Sequence, residues 1–445
     1  MKDLTTGNTA KVIVLFALPM LAGNIFQQLY NVVDSIIVGN YLGKEALSAV
    51  GASFPVMFAL ISLVIGIATG STTVISQYFG AKDYEKVKIA IDTMYVVIFL
   101  AAILITFIGI YFTEAIFRLI DLPEDIIPEA TKYLQIILGG SLLMFGVNAT
   151  NGILRGLGDS KTPLYFLIFS TLLNIVLDIL FVVIFKFGIE GVAYATILAS
   201  GVTFVLAMIY LNRYHELIHF SLANFRFDKE IFLKSVKIGL PTGLQQMVVA
   251  IGMSAIYRIV NQFDTDVIAA YSVAGRIDSF AIMPAMNFAM ALTTFTGQNI
   301  GAGKLQRVKE GLKATILLTA GISLFFSFVA VFWGENLMAM FTPDVNVQMI
   351  GYRYLIIVAS FYIVFSTMFS FTAVFRGAGD TLVPMFITLF ALWFIRIPVS
   401  WYLSKIMGET GIWWGIPIAW GFGLTFSSIY FWIGKWKNKA VVKIG

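Results

Sequence analysis

The chain has 445 residues, 59% hydrophobic and 12% charged, with no cysteine, a formal net charge of +5 and a mean hydropathy of +0.87. Soluble domains carry about 25% charged residues. The composition therefore excludes a soluble globular protein, and the lack of cysteine excludes disulfides and thiol chemistry.

Apolar windows of about 20 residues are long enough to cross a bilayer as a helix. Twelve are expected, near 12–37, 52–78, 88–111, 131–153, 163–185, 189–211, 235–259, 267–296, 312–333, 348–374, 382–403 and 411–434. The first is too long for a signal h-region and ends in no small-residue cleavage site, so it is expected to remain as a helix. Lys and Arg are unevenly shared between the two sets of loops. One side holds Lys82, Lys86, Lys88, Arg155, Lys161, Arg213, Arg226, Lys229, Lys234, Lys304, Arg307, Lys309, Lys313 and Arg376. The tails on that side add Lys2, Lys11, Lys435, Lys437, Lys439 and Lys443. The other side has little beyond Lys44, Arg118, Lys186 and Lys405. By the positive-inside rule both termini are cytoplasmic, in a multi-pass protein of the plasma membrane. The basic charge sets topology, and nucleic acid need not be invoked.

The first span carries Asp34, whose insertion near a helix centre costs about 2.5–3.5 kcal/mol. Gln27, Asn31 and Asp34 recur at i, i+4 and i+7, with Tyr30 beside them, and make one polar stripe. Asp92 and Glu114 lie near the ends of the third span, where an interfacial position is expected. In the fifth span Asn174 and Asp178 share a face at i, i+4, and Thr196 lies in the sixth. Two carboxylates, a carboxamide and a hydroxyl are hard oxygen donors suited to Na+ or a proton. Two carboxylates close together also disfavour double ionisation. No basic residue lies in the first or fifth span to neutralise them, so a bundle-facing functional pair is expected. His215 and His219 fall at i, i+4 in the connector between halves, with no carboxylate or thiol pattern nearby to make a metal site.

The second half differs. The seventh span carries Gln245, Gln246, Met253 and Arg258 but no acid. The eighth has Arg276 and Asp278 at i, i+2, which do not face each other on a helix, and Met283, Met286 and Met290. The eleventh has Arg396. The arginines are read equally well as snorkelling or as touching substrate. The methionines give adaptable packing for a substrate surface or ordinary membrane-core packing.

An internal repeat organises these spans. "NGILRGLGDSKTP" from Asn151 reappears as "TAVFRGAGDTLVP" from Thr372, and "QYFGAKDYEKV" from Gln77 as "QNIGAGKLQRV" from Gln298, both at the same offset. Leu18-Pro19 is answered by Leu240-Pro241 at an offset greater by a single position. The expected fold is an all-α integral membrane protein. Its twelve transmembrane helices form two six-helix lobes related by a pseudo-twofold axis along the membrane normal. The lobes span residues 1–211 and 235–445, with a cytoplasmic linker at 212–234. Such repeats place a substrate site between the halves. The Gly-Asp turns lack a Walker ending and a preceding strand, so they read as tight turns with glycine at positive φ and aspartate capping the next helix. No nucleophile–base or metal set is present, so an enzyme is not expected.

The twelve spans, the paired Leu-Pro and the Arg-Gly-x-Gly-Asp turns resemble the multidrug and toxic compound extrusion (MATE) family over nearly the whole chain. That resemblance implies a cation-coupled antiporter, driven by H+ or Na+, that exports amphipathic, often cationic organic molecules by alternating access. It places a cation site on Asp34, Asn174, Asp178 and Thr196. The lobe cleft would be lined by Gln27, Tyr30, Asn31, Gln245, Gln246, Met253, Arg276, Met283 and Met286. NorM-like branches also use acids in the seventh and tenth spans. This chain has neither, which resembles the DinF-like branch. The resemblance further implies a bend in the first helix at Pro19, where the missing N–H and the clash with Leu15 permit one. A monomer with no cofactor, in contact only with lipid and a small-molecule substrate, is expected. The alternative is a flippase for lipid-linked oligosaccharides, which relatives of this architecture perform and which would need an anionic-headgroup pocket.

Overall fold

The computed structural model describes residues 2–120, 122–215, 217–218 and 226–442. His219 and Lys443 lie outside them, as does the side chain of Lys44. The described residues form an all-helical membrane fold. Ten helices are long and apolar enough to cross a bilayer, and two bent pairs bring the spans to twelve.

The first six spans are α1 (Thr9–Tyr41), α2 (Gly43–Gly80), α3 (Tyr84–Leu119), the pair α4 (Ile127–Gly139) and α5 (Ser141–Gly156), α6 (Lys161–Asp178) and α7 (Ile189–Tyr214). The last six are α8 (Lys229–Val260), α9 (Thr265–Gly301), α10 (Leu305–Ala339), the pair α11 (Val345–Ala359) and α12 (Tyr362–Ala378), the broken span α13 (Leu382–Phe390) with α14 (Ile397–Met407), and α15 (Glu409–Ile433). The repeat extends to irregularities. Both fourth spans are bent, by 53° between α4 and α5 and by 49° between α11 and α12. Both fifth spans contain a π-helical stretch, Ile179–Ile184 after α6 and Ala391–Arg396 between α13 and α14.

The repeated Gly-Asp turns fold as the residue types require. Gly158 and Gly379 sit at φ +81° and +90°, where a side chain would be strained. Asp159 Oδ1 accepts from the backbone N–H groups of Lys161 (3.0 Å) and Thr162 (3.1 Å) and so caps α6. In the second copy Asp380 accepts a hydrogen bond from the Tyr430 hydroxyl instead.

The chain divides into two compact units. Lys2 and residues 19–243 form one; residues 3–18 and 244–445 form the other. Within the second unit the segment before α1 is tied down. Leu4 is fully buried, and its N–H donates to Gln298 Oε1 at 3.0 Å. Asn299 donates to the Leu4 carbonyl, Lys304 to that of Thr5 and Arg307 to that of Gly7, at 3.2, 2.9 and 3.0 Å.

Within the first unit α2 and the start of α8 approach to backbone contact. A Cβ added to Gly66 would lie 2.5 Å from the Gly239 carbonyl oxygen, and one on Gly70 2.2 Å from that of Ser235. Gly66-x-x-x-Gly70 and Gly239-x-x-x-Gly243 are therefore a pair of small-residue ridges, the usual device for close helix packing in lipid. Gly70→Val and Gly239→Val are each expected to destabilise the protein by about 3 kcal/mol or more through overpacking. Gly321→Ala, in α10 with nothing within 4 Å of its added Cβ, should be neutral or stabilising by up to about 1 kcal/mol. Thermal unfolding in detergent distinguishes them, and equal midpoints for all three would refute the contact.

Candidate functional site

The polar stripe of α1 faces the interior of the first unit. Gln27, Tyr30, Asn31 and Asp34 line one cavity of about 640 Å³ together with Asn174 of α6 and Thr196 of α7. Asp178, at the last position of α6 where the helix passes into its π-helical stretch, is 1% exposed, and Asn174 is 3% exposed. With its amide set to satisfy its neighbours, Asn174 donates to Asp178 Oδ2 at 2.9 Å and accepts from the Thr196 backbone N–H at 3.2 Å. One carboxamide thus ties the fifth span to the sixth and orients the carboxylate. The Thr196 hydroxyl donates to the Val192 carbonyl at 3.1 Å, which leaves its lone pairs to face the Tyr30 hydroxyl.

Asp34 and Asp178 lie close enough for their charges to interact. Oδ1 of each is sealed from solvent with no hydrogen-bond partner. Native proteins rarely leave such atoms unsatisfied. The stripe on α1, Asn174 and Thr196 thus line one cavity, with Asp178 bonded to Asn174 beside it. Tyr133 of α4 is a member that the sequence reading missed. It lines the same cavity and sits within electrostatic range of both carboxylates. As a single tyrosine in its span it gave no signal of its own. The repeat held one, because Lys132-Tyr133-Leu134 is answered in the second half by Arg353-Tyr354-Leu355, at the offset of the Gly-Asp turns.

In the second unit the candidates are dispersed. Gln245 is 4% exposed and committed to internal bonds. It accepts from Arg376 Nη2 at 2.8 Å and donates to Thr388 Oγ1 at 2.7 Å. Its neighbour Gln246 is exposed, as are Arg258, Arg276, Met253, Met286 and Met290, while Met283 is half-buried. Arg396 reaches Met253 Sδ through Nη1 at 3.4 Å. At the span ends, Asp92 accepts from the Arg226 backbone N–H (3.4 Å) and Glu114 pairs with Arg118 (3.0 Å). His215 Nδ1 accepts from the Leu217 and Ile218 N–H groups at 3.2 Å each, a turn-forming role. Pro19 lies inside the continuous helix α1, at the residue where the chain passes from the second unit into the first.

Comparison with known proteins matches this duplication. The MatE family model fits the chain twice, over residues 19–180 and 241–402. The probable multidrug resistance protein YpnP of Bacillus subtilis (strain 168) is 35% identical over 435 residues, covering 98% of this chain and 97% of its own. A crystal structure of MATE in the straight conformation superposes with a TM-score of 0.91 at 26% identity over 98% of each chain. One in the bent conformation superposes with the same score at 25% identity, over 99% of this chain and 98% of that one.

The Arg376–Gln245–Thr388 chain yields a stability test. Gln245→Leu removes the acceptor of a guanidinium and is expected to cost about 1.5–3 kcal/mol. Gln246→Ala, at an exposed position, should stay within about 0.5 kcal/mol of the parent. Thermal unfolding in detergent reads both, and an unshifted Gln245→Leu midpoint would show that the chain carries no stability.

Proposed function

The chain belongs to the MatE family of membrane transporters, and we propose that it is a cation-coupled antiporter exporting amphipathic organic molecules by alternating access. The observation that carries this reading is the pair of buried, unpartnered Oδ1 atoms of Asp34 and Asp178, two carboxylates close enough to interact, beside a cavity that Asp34, Asn174 and Thr196 line. A proton or Na+ bound there supplies the missing partner and reduces the repulsion between the carboxylates. Asn174 and Thr196 complete the oxygen set, and Tyr30 and Tyr133 close it. The multidrug resistance assignment of YpnP supports export of organic molecules.

In the outward-open state a cation loads at this site, the first helix repacks and substrate affinity falls. Substrate leaves outward, and the loaded protein turns inward to release its cation. One charge crossing 100 mV supplies about 2.3 kcal/mol, equivalent to a few tens-fold in substrate concentration at about 1.4 kcal/mol per decade. The lysine and arginine distribution supports cytoplasmic termini. The lack of acids in the seventh span and its tenth-span counterpart supports a DinF-like relationship. We favour export over lipid-linked oligosaccharide flipping because Arg258 and Arg276 are exposed and Arg396 is engaged with Met253.

Dye efflux from proteoliposomes, under an imposed proton gradient and then an imposed sodium gradient, identifies the coupling ion. One of the two should drive efflux and Asp34→Asn should abolish it in folded protein. Full efflux by that variant would sink the site. Pro19→Ala restores a donor to the Leu15 carbonyl and stiffens α1. Substrate affinity measured with and without saturating cation should then lose most of its cation dependence, because mutual exclusion needs an element with two states. Undiminished exclusion in Pro19→Ala would remove α1 bending from the mechanism.

A further inference from the structure

The second unit contains a polar cluster that the proposed antiport cycle does not use. Asp278 of α9 accepts at Oδ2 from the Tyr354 hydroxyl at 3.3 Å, while its Oδ1 is sealed from solvent and unpartnered. Three donors in the same neighbourhood are also buried without partners: the Tyr362 hydroxyl, Arg396 Nε and Trp413 Nε1. The groups form one assembly. Trp413 stacks on Tyr271 with ring centroids 5.3 Å apart and meets Tyr354 edge-on at 5.1 Å. Arg396 lies within electrostatic range of both Tyr271 and Asp278. The Tyr362 hydroxyl faces the Asp278 carboxylate but stops short of a direct bond.

The repeat gives this cluster an address. Tyr271, Asp278 and Tyr354 are the repeat counterparts of Val50, Met57 and Tyr133, all of which line the cavity of the first unit. Arg396 corresponds to Ile175, next to Asn174. The cluster occupies, in the second unit, the place that the cation site occupies in the first. We propose that it is a second proton-binding site, in which Asp278 takes up and releases a proton through water held between its Oδ1, the Tyr362 hydroxyl and Arg396 Nε.

Water fits because the orphaned atoms include one acceptor and several donors. Trp413 is fully buried, Tyr362 2% and Tyr354 3% exposed. A metal ion does not fit, since one carboxylate would have to hold it beside the Arg396 guanidinium. On uptake a proton from solution is relayed through the bridging water, which recovers its own, to Oδ1, and the carboxylate becomes neutral. On release it returns to water, and Arg396 balances the carboxylate. From α11 and α12 the cluster receives the hydroxyls of Tyr354 and Tyr362 beside apolar side chains. Tyr271 comes from α9 itself, with Tyr257 of α8 packed on its ring. α10 presents Phe326, Ala330 and Met338. Arg276, two residues from Asp278, is exposed.

The test is infrared titration of the carboxylic-acid C=O band on the purified full chain, in an Asp34→Asn/Asp178→Asn background that silences the first site. A band should appear on acidification, vanish with Asp278→Asn, and shift but persist with Asp278→Glu. Tyr362→Phe should move its midpoint, and sodium should leave it unchanged. Asp278→Asn should also release one proton fewer between the acid and alkaline limits, with an unchanged size-exclusion profile confirming the fold. No Asp278-dependent band in folded protein would make the cluster a permanently ionised pair and overturn the proposal. A sodium-induced loss of the band would overturn it in favour of a metal site. Neither outcome bears on the Asp34/Asp178 site, which the background removes.

Discussion

A carboxylate inside a bilayer-spanning helix must find its partners within the protein. That requirement sets how the first unit is arranged. The α1 face bearing Asp34 turns inward, α6 brings Asp178 to the same wall, and Asn174 fixes one carboxylate by reaching the sixth span. The cost of burying these groups is a few kcal/mol each, comparable with the total stability of a domain. The two unpartnered Oδ1 atoms are where the proposed cation would complete the set.

The architecture was legible in the sequence because lipid leaves few choices. With no water to satisfy the backbone, apolar runs of sufficient length become helices, and a motif repeat at one constant offset fixes how they are grouped. The convergence of Asp34, Asn174, Asp178 and Thr196 was legible for the same reason, since polar groups at helical spacing in an apolar background must face inward. What stayed hidden depends on tertiary approach. Gly66 and Gly239 gave no sign of facing each other, because a small residue acquires meaning only from the backbone opposite it. Tyr133 looked like one more aromatic residue. The π-helical stretches at 179–184 and 391–396 carry no sequence mark apart from their nearness to Asp178 and Arg396. Gln245, whose residue type reads as a cleft ligand, is spent on Arg376 and Thr388.

The two halves show how duplication permits division of labour. Equivalent helices bend at equivalent places and turn through equivalent glycines, yet the chemistry at the equivalent centre has diverged. The first unit keeps an open, oxygen-lined cavity. The second fills the same address with Tyr271, Tyr354 and Trp413 around a single acid and an arginine. Differences at a few positions, Met57 against Asp278 and Val50 against Tyr271, separate the two centres without changing the scaffold.

The division of α1 at Pro19 has a practical corollary. Its first turns group with residues 244–445, as does the segment just before it, whose Leu4, Thr5 and Gly7 bond with Gln298, Asn299, Lys304 and Arg307, whereas the remainder of the same helix groups with residues 19–243. One continuous helix is thus shared between two bodies. A pair of spectroscopic labels on its outer face, one before and one after the proline, would act as a goniometer. Their separation is fixed by helix geometry while α1 is straight and changes only as it bends. A single helix can therefore report the angle between its own two segments, with no reference point elsewhere in the molecule.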